Sequence, residues 1–246
     1  MLLTYTNSFW GYGGYGTGLF FDPTYLLVLA GLILCLLAQA GVKSTFAKYS
    51  RVRSRSGLTG AEAARQVLNS AGIYDVSIQR VSGNLTDHYD PRTKVLRLSD
   101  STYASASVAA VGVAAHECGH AIQHQKGYGP LMLRSTLVPA ANIGSSLAWP
   151  IFFAGLIFSM QPLLTAGIVL FGLAVLFQLV TLPVEINAST RAVKILSGTG
   201  LVTEEEKGGV KKVLTAAALT YVAALASSLL QLLRLIILAG GRRRDD

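Results

Sequence analysis

YLLVLAGLILCLLAQAGV, from Tyr25 to Val42, decides what kind of molecule this is. The run is apolar over roughly the 18 to 20 residues that a helix needs to cross a bilayer. A cleaved signal peptide is the competing reading, but no basic residue precedes the run, it exceeds an ordinary signal core, and no small-residue cleavage pattern comes after it. Instead Lys43, Lys48, Arg51, Arg53 and Arg55 succeed it, with no acidic residue among them. Basic clusters of this kind mark the cytoplasmic flank of a retained membrane helix and are drawn to an anionic leaflet. The expectation is an anchor whose N-terminal end lies outside.

The rest of the composition agrees. Of 246 residues, 51% are hydrophobic and 14% charged, and the mean hydropathy is +0.47. The net charge of +8 and pI near 9.6 do not imply nucleic acid, because the basic residues crowd at membrane flanks instead of covering a soluble domain. Cys35 lies in the apolar run and Cys118 off any ligand face, so no disulfide framework is expected. Ahead of the anchor, Trp10, Tyr12, Tyr15, Phe20 and Phe21 stand among glycines as an interfacial aromatic segment.

Beyond the anchor, two more apolar stretches, Ile143 to Met160 and Leu163 to Leu182, are separated by Gln161-Pro162 and read as a transmembrane hairpin that returns to the side it left. A last one runs from Val213 to Ala239, interrupted by Gln231 and Arg234. Four spans would carry Arg242 to Arg244 outside, against the charge rule. Either the last helix stops short or the charge after the first span dominates. The resulting organisation is 1–23 N-terminal segment, 24–42 first span, 43–142 polar module, 143–182 hairpin, 183–212 a connecting segment with a cytoplasmic helix, and 213–246 final helix and basic tail.

The polar module reads as small α+β. Thr59-Gly-Ala-Glu62 is a capping box, and Ala64, Val67, Leu68 and Ala71 recur at helical spacing up to Gly72. Val76 to Gln79 and Lys94 to Leu98 read as two strands of a short β-hairpin. Between them Leu85-Thr-Asp-His-Tyr-Asp-Pro91 is a turn-rich connection in which Asp90 closes a turn, while His88 is a candidate for the site wall. The strand ahead of the next helix is a candidate for pairing with an extended peptide. Ser99 or Ser101 is placed to cap that helix.

The helix carries Val113-Ala-Ala-His116-Glu117-Cys118-Gly119-His120-Ala-Ile122. At 3.6 residues per turn, histidines four apart share one face and can bind one metal ion, most simply zinc. Glu117 lies about 100° around the helix from His116 and can reach a water on that metal, where a hydrolytic general base belongs. Two histidines merely satisfied in a core would leave Glu117 unpaired on an apolar helix, a costly arrangement. His124 shares the face but stands about 6 Å beyond His120 along the axis and about 12 Å beyond His116, too far to complete one site.

A catalytic zinc takes three protein ligands and leaves one position open. Glu204, Glu205 and Glu206 come directly after Thr203 as the capped start of a helix, and Asp245 and Asp246 form a polar tail. Glu185, by contrast, ends an apolar span in Leu182-Pro-Val-Glu185-Ile-Asn187-Ala-Ser189-Thr-Arg191, where an unpartnered carboxylate is expensive. It is the expected third ligand. Asn187, Ser189 and Arg191 are spaced to orient it or a histidine by hydrogen bonds, and Arg191 or His88 is a candidate to stabilise a developing oxyanion.

From Val42 onward the chain resembles the bacterial YugP-like neutral zinc metallopeptidases, in Val42-Lys-Ser-Thr-Phe46, Leu58-Thr-Gly-Ala-Glu62, Leu85-Thr-Asp-His-Tyr-Asp-Pro-Arg92, His116-Glu-Cys-Gly-His-Ala-Ile-Gln123 and Thr181-Leu-Pro-Val-Glu185. More distantly it is similar to HtpX and CAAX-prenyl-protease enzymes, in which a pair of membrane segments separates the two-histidine motif from a glutamate ligand. The resemblance implies His116, His120 and Glu185 as ligands of one zinc ion and Glu117 as base. Those enzymes usually carry aspartate four residues after the glutamate; Ser189 stands there in this chain, with Asn187 nearby.

The expectation is therefore a mainly α integral membrane protein with about four transmembrane helices and a small zincin-like α+β module on the cytoplasmic side of a bacterial plasma membrane. It would act as a zinc endopeptidase of the gluzincin type on proteins or peptides, membrane proteins included, with no nucleic-acid partner; the sequence is silent on oligomeric state. One rival is an intramembrane protease of the site-2 type, which would want its motif inside a hydrophobic span and an aspartate ligand. The other is a non-catalytic zinc-holding membrane scaffold or chaperone, which has no need of Glu117.

Overall fold

A computed structural model describes residues 22–241; the aromatic segment before Asp22 and the arginines from 242 lie outside the described residues. Helix α1, Tyr25–Ser50, runs on past the apolar run into the basic cluster. Its end is tied to the module by Ser54 N–H donating to the Ala106 carbonyl at 2.8 Å and Val108 N–H donating to the Val52 carbonyl at 2.9 Å.

Helix α2, Gly60–Ser70, is started by the expected capping box, with Thr59 N–H on Glu62 Oε2 at 2.8 Å and Glu62 N–H on Thr59 Oγ1 at 3.3 Å. Strands β1 (Ser77–Val81), β2 (His88–Asp90) and β3 (Val95–Ser99) form one sheet in the order β1-β3-β2. This corrects the expected pairing: the first and third strands run parallel, and the hairpin is made by β2 antiparallel to β3. The sequence reveals β1 and β3 as strands but not their relative direction, because side-chain period is the same in either. The stretch that reads as pure turn supplies β2. Asp90 still closes the tight turn behind it, accepting from Thr93 Oγ1 at 2.6 Å and Arg92 N–H at 3.0 Å. Chiefly these hydrogen bonds hold the pKa of the Asp90 carboxyl down to about 2, so it stays ionised as a turn anchor. Central β3 has no free edge for a peptide; among the described residues the free edges belong to β1 and β2.

A one-turn helix α3, Asp100–Tyr103, intervenes before helix α4, Val108–Gln125. The cap of α4 is consequently Ser107, whose hydroxyl accepts from Ala110 N–H at 3.2 Å, and not Ser99 or Ser101. Ser99 serves the loop instead, giving its N–H and hydroxyl to the Asp87 carboxylate, each at 2.8 Å. Helix α4 is the axis of the core. Val111, Ala114, Ala115, Cys118 and Ile122 pack with Val67 and Leu68 of α2, Leu96 and Leu98 of β3, and Ala192, Leu196, Val210 and Leu214 from later in the chain.

The long helices after α4 are α5 (Gly129–Ile157), α6 (Gln161–Gly198) and α7 (Glu204–Gly241). With α1 they make four helices long and apolar enough to cross a membrane. Gln161-Pro162 opens α6, a position where the missing proline N–H costs nothing, and the turn itself is Phe158 to Met160. Helix α6 continues through Pro183, so Glu185 and the residues after it stand on the same helix as the apolar span. Helix α7 begins against the polar module, at a box in which Glu206 N–H meets Thr203 Oγ1 and Thr203 N–H meets Glu206 Oε2, and runs unbroken to its end. It lies antiparallel to α1. Arg234 donates to Thr24 Oγ1 at 3.2 Å, pairs with Asp22 at 3.6 Å and sits 4.3 Å from the Tyr25 ring centre. The C-terminal part of α7 thus packs beside the start of α1.

Candidate metal centre

Helix α4 presents His116 and His120 on one face, their rings edge-to-face at 4.9 Å. Opposite them α6 presents Glu185, 2% exposed. The two helices can approach this closely because residue 119 is glycine: a Cβ there would stand 2.6 Å from the Ala188 carbonyl oxygen. The result is a cluster in which one donor atom from each of the three residues lies within 4.8 Å of the others. Glu185 Oε2 is 3.2 Å from His116 Nε2 and 3.5 Å from His120 Nε2. Ligands held about 2.1 Å from a tetrahedral ion are separated by about 3.4 Å. The donor set and its spacing fit zinc.

The remaining imidazole nitrogens are occupied in the manner a metal site requires. His116 Nδ1 is 3.1 Å from Ser189 Oγ, and His120 Nδ1 is 3.1 Å from Gln123 Oε1. A hydrogen bond on Nδ1 holds the ring so that Nε2 faces the ion. Ser189, four residues after Glu185, is thus the side chain that reaches the first histidine. Burial alone would lower the pKa of His120; the carboxylates of Glu185 and Glu117 outweigh it and raise it.

Asn187 acts at one remove. Gln123 Nε2 donates to Asn187 Oδ1 at 3.0 Å and to the Val184 carbonyl at 2.9 Å, so one amide clamps His120 to the backbone of α6 beside Glu185. Arg191 Nε also donates to Asn187 Oδ1, at 2.7 Å, and its guanidinium lies 5.7 Å from the Tyr128 ring centre. Among the described residues the His88 ring bonds only the Thr86 carbonyl, at 2.9 Å, and it is not brought to the cluster. The adjacent Tyr89, on the other face of β2, reaches α4 and bonds His124 Nδ1 at 2.9 Å. His124 ties the sheet to the motif helix.

Three residues of the site are not singled out by the sequence. Gln123 reads there only as part of the polar end of α4. Arg134, on α5, donates to Glu185 Oε1 at 3.1 Å and leaves Oε2 toward the histidines. Tyr221 of α7 is near enough to Glu185 and Glu117 to feel both carboxylates. The last two do carry a signal: each is a polar group in an otherwise apolar stretch, and such groups mark partners inside a membrane protein. Glu117 is 8% exposed and its carboxylate accepts no hydrogen bond from the described residues. Cys118 turns the other way, donating to the Ala64 carbonyl at 3.5 Å, and is no ligand.

Gln123→Leu keeps the side-chain volume but removes the clamp. It is expected to weaken zinc affinity about 10- to 100-fold, the usual consequence of losing a partner of a ligating histidine; competition with a chromogenic chelator measures this. An unchanged affinity would mean that the amide serves packing alone.

The fold is thus mainly α with four helices apolar enough to cross a membrane, and its two-histidine, one-glutamate cluster could hold a metal ion. Residues 24–240 match the family described as "Putative neutral zinc metallopeptidase", and the chain belongs to that family. It is 50% identical over 181 residues, covering 74% of this chain and 80% of the relative, to the "Putative membrane protease YugP" of Bacillus subtilis. No solved structure matches it.

Proposed function

We propose that this chain is a zinc-dependent endopeptidase of the gluzincin type, in which His116, His120 and Glu185 hold one zinc ion and Glu117 is the general base. The observation that carries the reading is Glu117: a carboxylate beside His120, 8% exposed as a residue, which accepts no hydrogen bond from the described residues and whose oxygens are open to a water. A site that only holds a metal has no use for such a group. Zinc, when bound, polarises a carbonyl and acidifies water. Glu117 takes the proton of the attacking water and delivers it to the amine nitrogen of the departing fragment. The oxyanion role open to Arg191 or His88 falls in this reading to the Tyr221 hydroxyl, since Arg191 is engaged by Asn187 and Tyr128.

Protein or peptide substrates, membrane proteins among them, would lie extended along the free edge of β2, the strand that Tyr89 fastens to α4. The basic residues after α1 favour a bacterial plasma-membrane protein with this site on the cytoplasmic side. Against a site-2 type enzyme, the motif helix α4 is not one of the four membrane-crossing candidates.

The test uses the full-length chain in lipid discs. It is expected to cleave an unfolded protein, to lose that activity on chelation and to recover it with zinc. Glu185→Ala should carry no zinc while Glu205→Ala, altered at an exposed residue of the α7 start, should carry one ion per chain. Zinc bound without cleavage by the wild type would favour the scaffold reading, and zinc retained by Glu185→Ala would overturn the ligand assignment.

A further inference from the structure

On the far side of α7 from the metal cluster, α1 and α7 enclose an open groove of about 390 Å³. Val210, Val213 and Leu214 face the core, which turns Lys211, Lys212 and Thr215 outward; α1 adds Thr45 and Lys48. The groove is closed at its polar end by Tyr49, whose ring packs where Gly209 has no side chain: a Cβ there would meet the ring at 2.8 Å. Toward the membrane its floor is Ala216 and Leu219, the latter 53% exposed.

Three features of the groove point to an anionic ligand. It holds three lysines and no acidic residue, and among the described residues none of Lys48, Lys211 and Lys212 makes an ion pair. The nearby acids of α7 are committed elsewhere: Glu204 to Lys207, Glu205 to Arg55, Glu206 to the cap and to Arg55 N–H. The hydroxyls of Thr45 and Thr215 are also unengaged among the described residues. Helical threonines elsewhere in this chain behave differently: Thr136, Thr165, Thr181 and Thr190 each return a hydrogen bond to the carbonyl four residues earlier.

The depth identifies the ligand. Thr45 and Lys48 come directly after the apolar part of α1, and Lys211 to Thr215 directly precede that of α7, so cations and hydroxyls stand at headgroup level while Leu219 reaches the acyl region. We propose that this α1/α7 groove is a binding site for one anionic phospholipid. The lysines and threonine hydroxyls hold its phosphate, and Ala216 and Leu219 receive the start of an acyl chain. A soluble phosphate would gain nothing from the apolar floor, and a zwitterionic lipid would bring its own cation into a site already rich in them.

The experiment is native mass spectrometry of the full-length chain in micelles titrated with phosphatidylglycerol or phosphatidylcholine. Wild type should retain phosphatidylglycerol in preference. Each lysine at an anionic surface contributes roughly fivefold in affinity, so Lys48→Gln/Lys211→Gln/Lys212→Gln should weaken retention about 100-fold. The control Lys43→Gln/Arg92→Gln/Lys126→Gln removes equal charge outside the groove and should bind as wild type; Lys43 lies about 140° around α1 from Lys48. The triple arginine variant at the groove positions should keep binding, which separates lost charge from lost fold. Equal loss in the control, equal retention of the two lipids, or full displacement by millimolar glycerol phosphate would each overturn the proposal.

Discussion

Glu117→Gln is expected to bind zinc as the wild type does and to cleave an unfolded substrate about 10²- to 10⁴-fold more slowly, the range that a positioned general base contributes. The substitution keeps the shape of the side chain. The carboxylate makes no hydrogen bond with the described residues that an amide would break, and both histidines keep their own partners in Ser189 and Gln123. The variant should therefore fold as the wild type does, and zinc content together with turnover separates binding from chemistry. Equal turnover in the two proteins would sink the assignment of Glu117 as base.

Gly119→Ala should be nearly as damaging to the site without touching a ligand. The added methyl would stand 2.6 Å from the Ala188 carbonyl oxygen, and that oxygen belongs to the backbone of α6, which cannot swing aside as a side chain would. The two helices must separate. Ala188 is three residues from Glu185 and adjacent to Ser189, so the shift opens the contacts of both with His116. Overpacking of this kind costs about 1–3 kcal/mol in stability, and zinc affinity is expected to fall by at least about tenfold, as when a histidine loses its orienting partner. Gly208→Ala is the control, since nothing lies within 4 Å of its would-be Cβ; a helix there should gain up to about 1 kcal/mol from the better propensity. Thermal unfolding and chelator competition read both effects. A Gly119→Ala variant with wild-type affinity would show that the helix spacing is softer than the close approach implies.

These two variants also divide what is legible in the chain from what is not. The histidine pair needs only helical periodicity, and Glu117 only its neighbours. Glu185 is legible because a carboxylate at the end of an apolar run demands a partner. The capping boxes at Thr59 and Thr203 are local hydrogen-bond patterns and persist in the structure unchanged. In contrast, Gly119 gives no sign in sequence that its missing side chain faces Ala188, and the amide of Gln123 could as well face solvent. Arg134 and Tyr221 reach Glu185 from α5 and α7, so their relevance depends on how long helices pack against one another. The direction of β1 is equally hidden, because parallel and antiparallel partners share one alternation.

By itself the sequence determined the class of molecule, the four apolar spans, the two-histidine turn and the carboxylates on offer, since hydropathy and helical period are properties of neighbouring residues. Only the tertiary structure decided that α6 and α7 are unbroken rods, that β3 is central and β2 a free edge, and that His88 stands apart from the cluster while Gln123 and Arg134 belong to it. The physical reason is range. Hydrogen bonds such as Arg134 to Glu185 join groups whose separation along the chain exceeds the reach of any local pattern, and a helix face acquires its meaning from what packs against it.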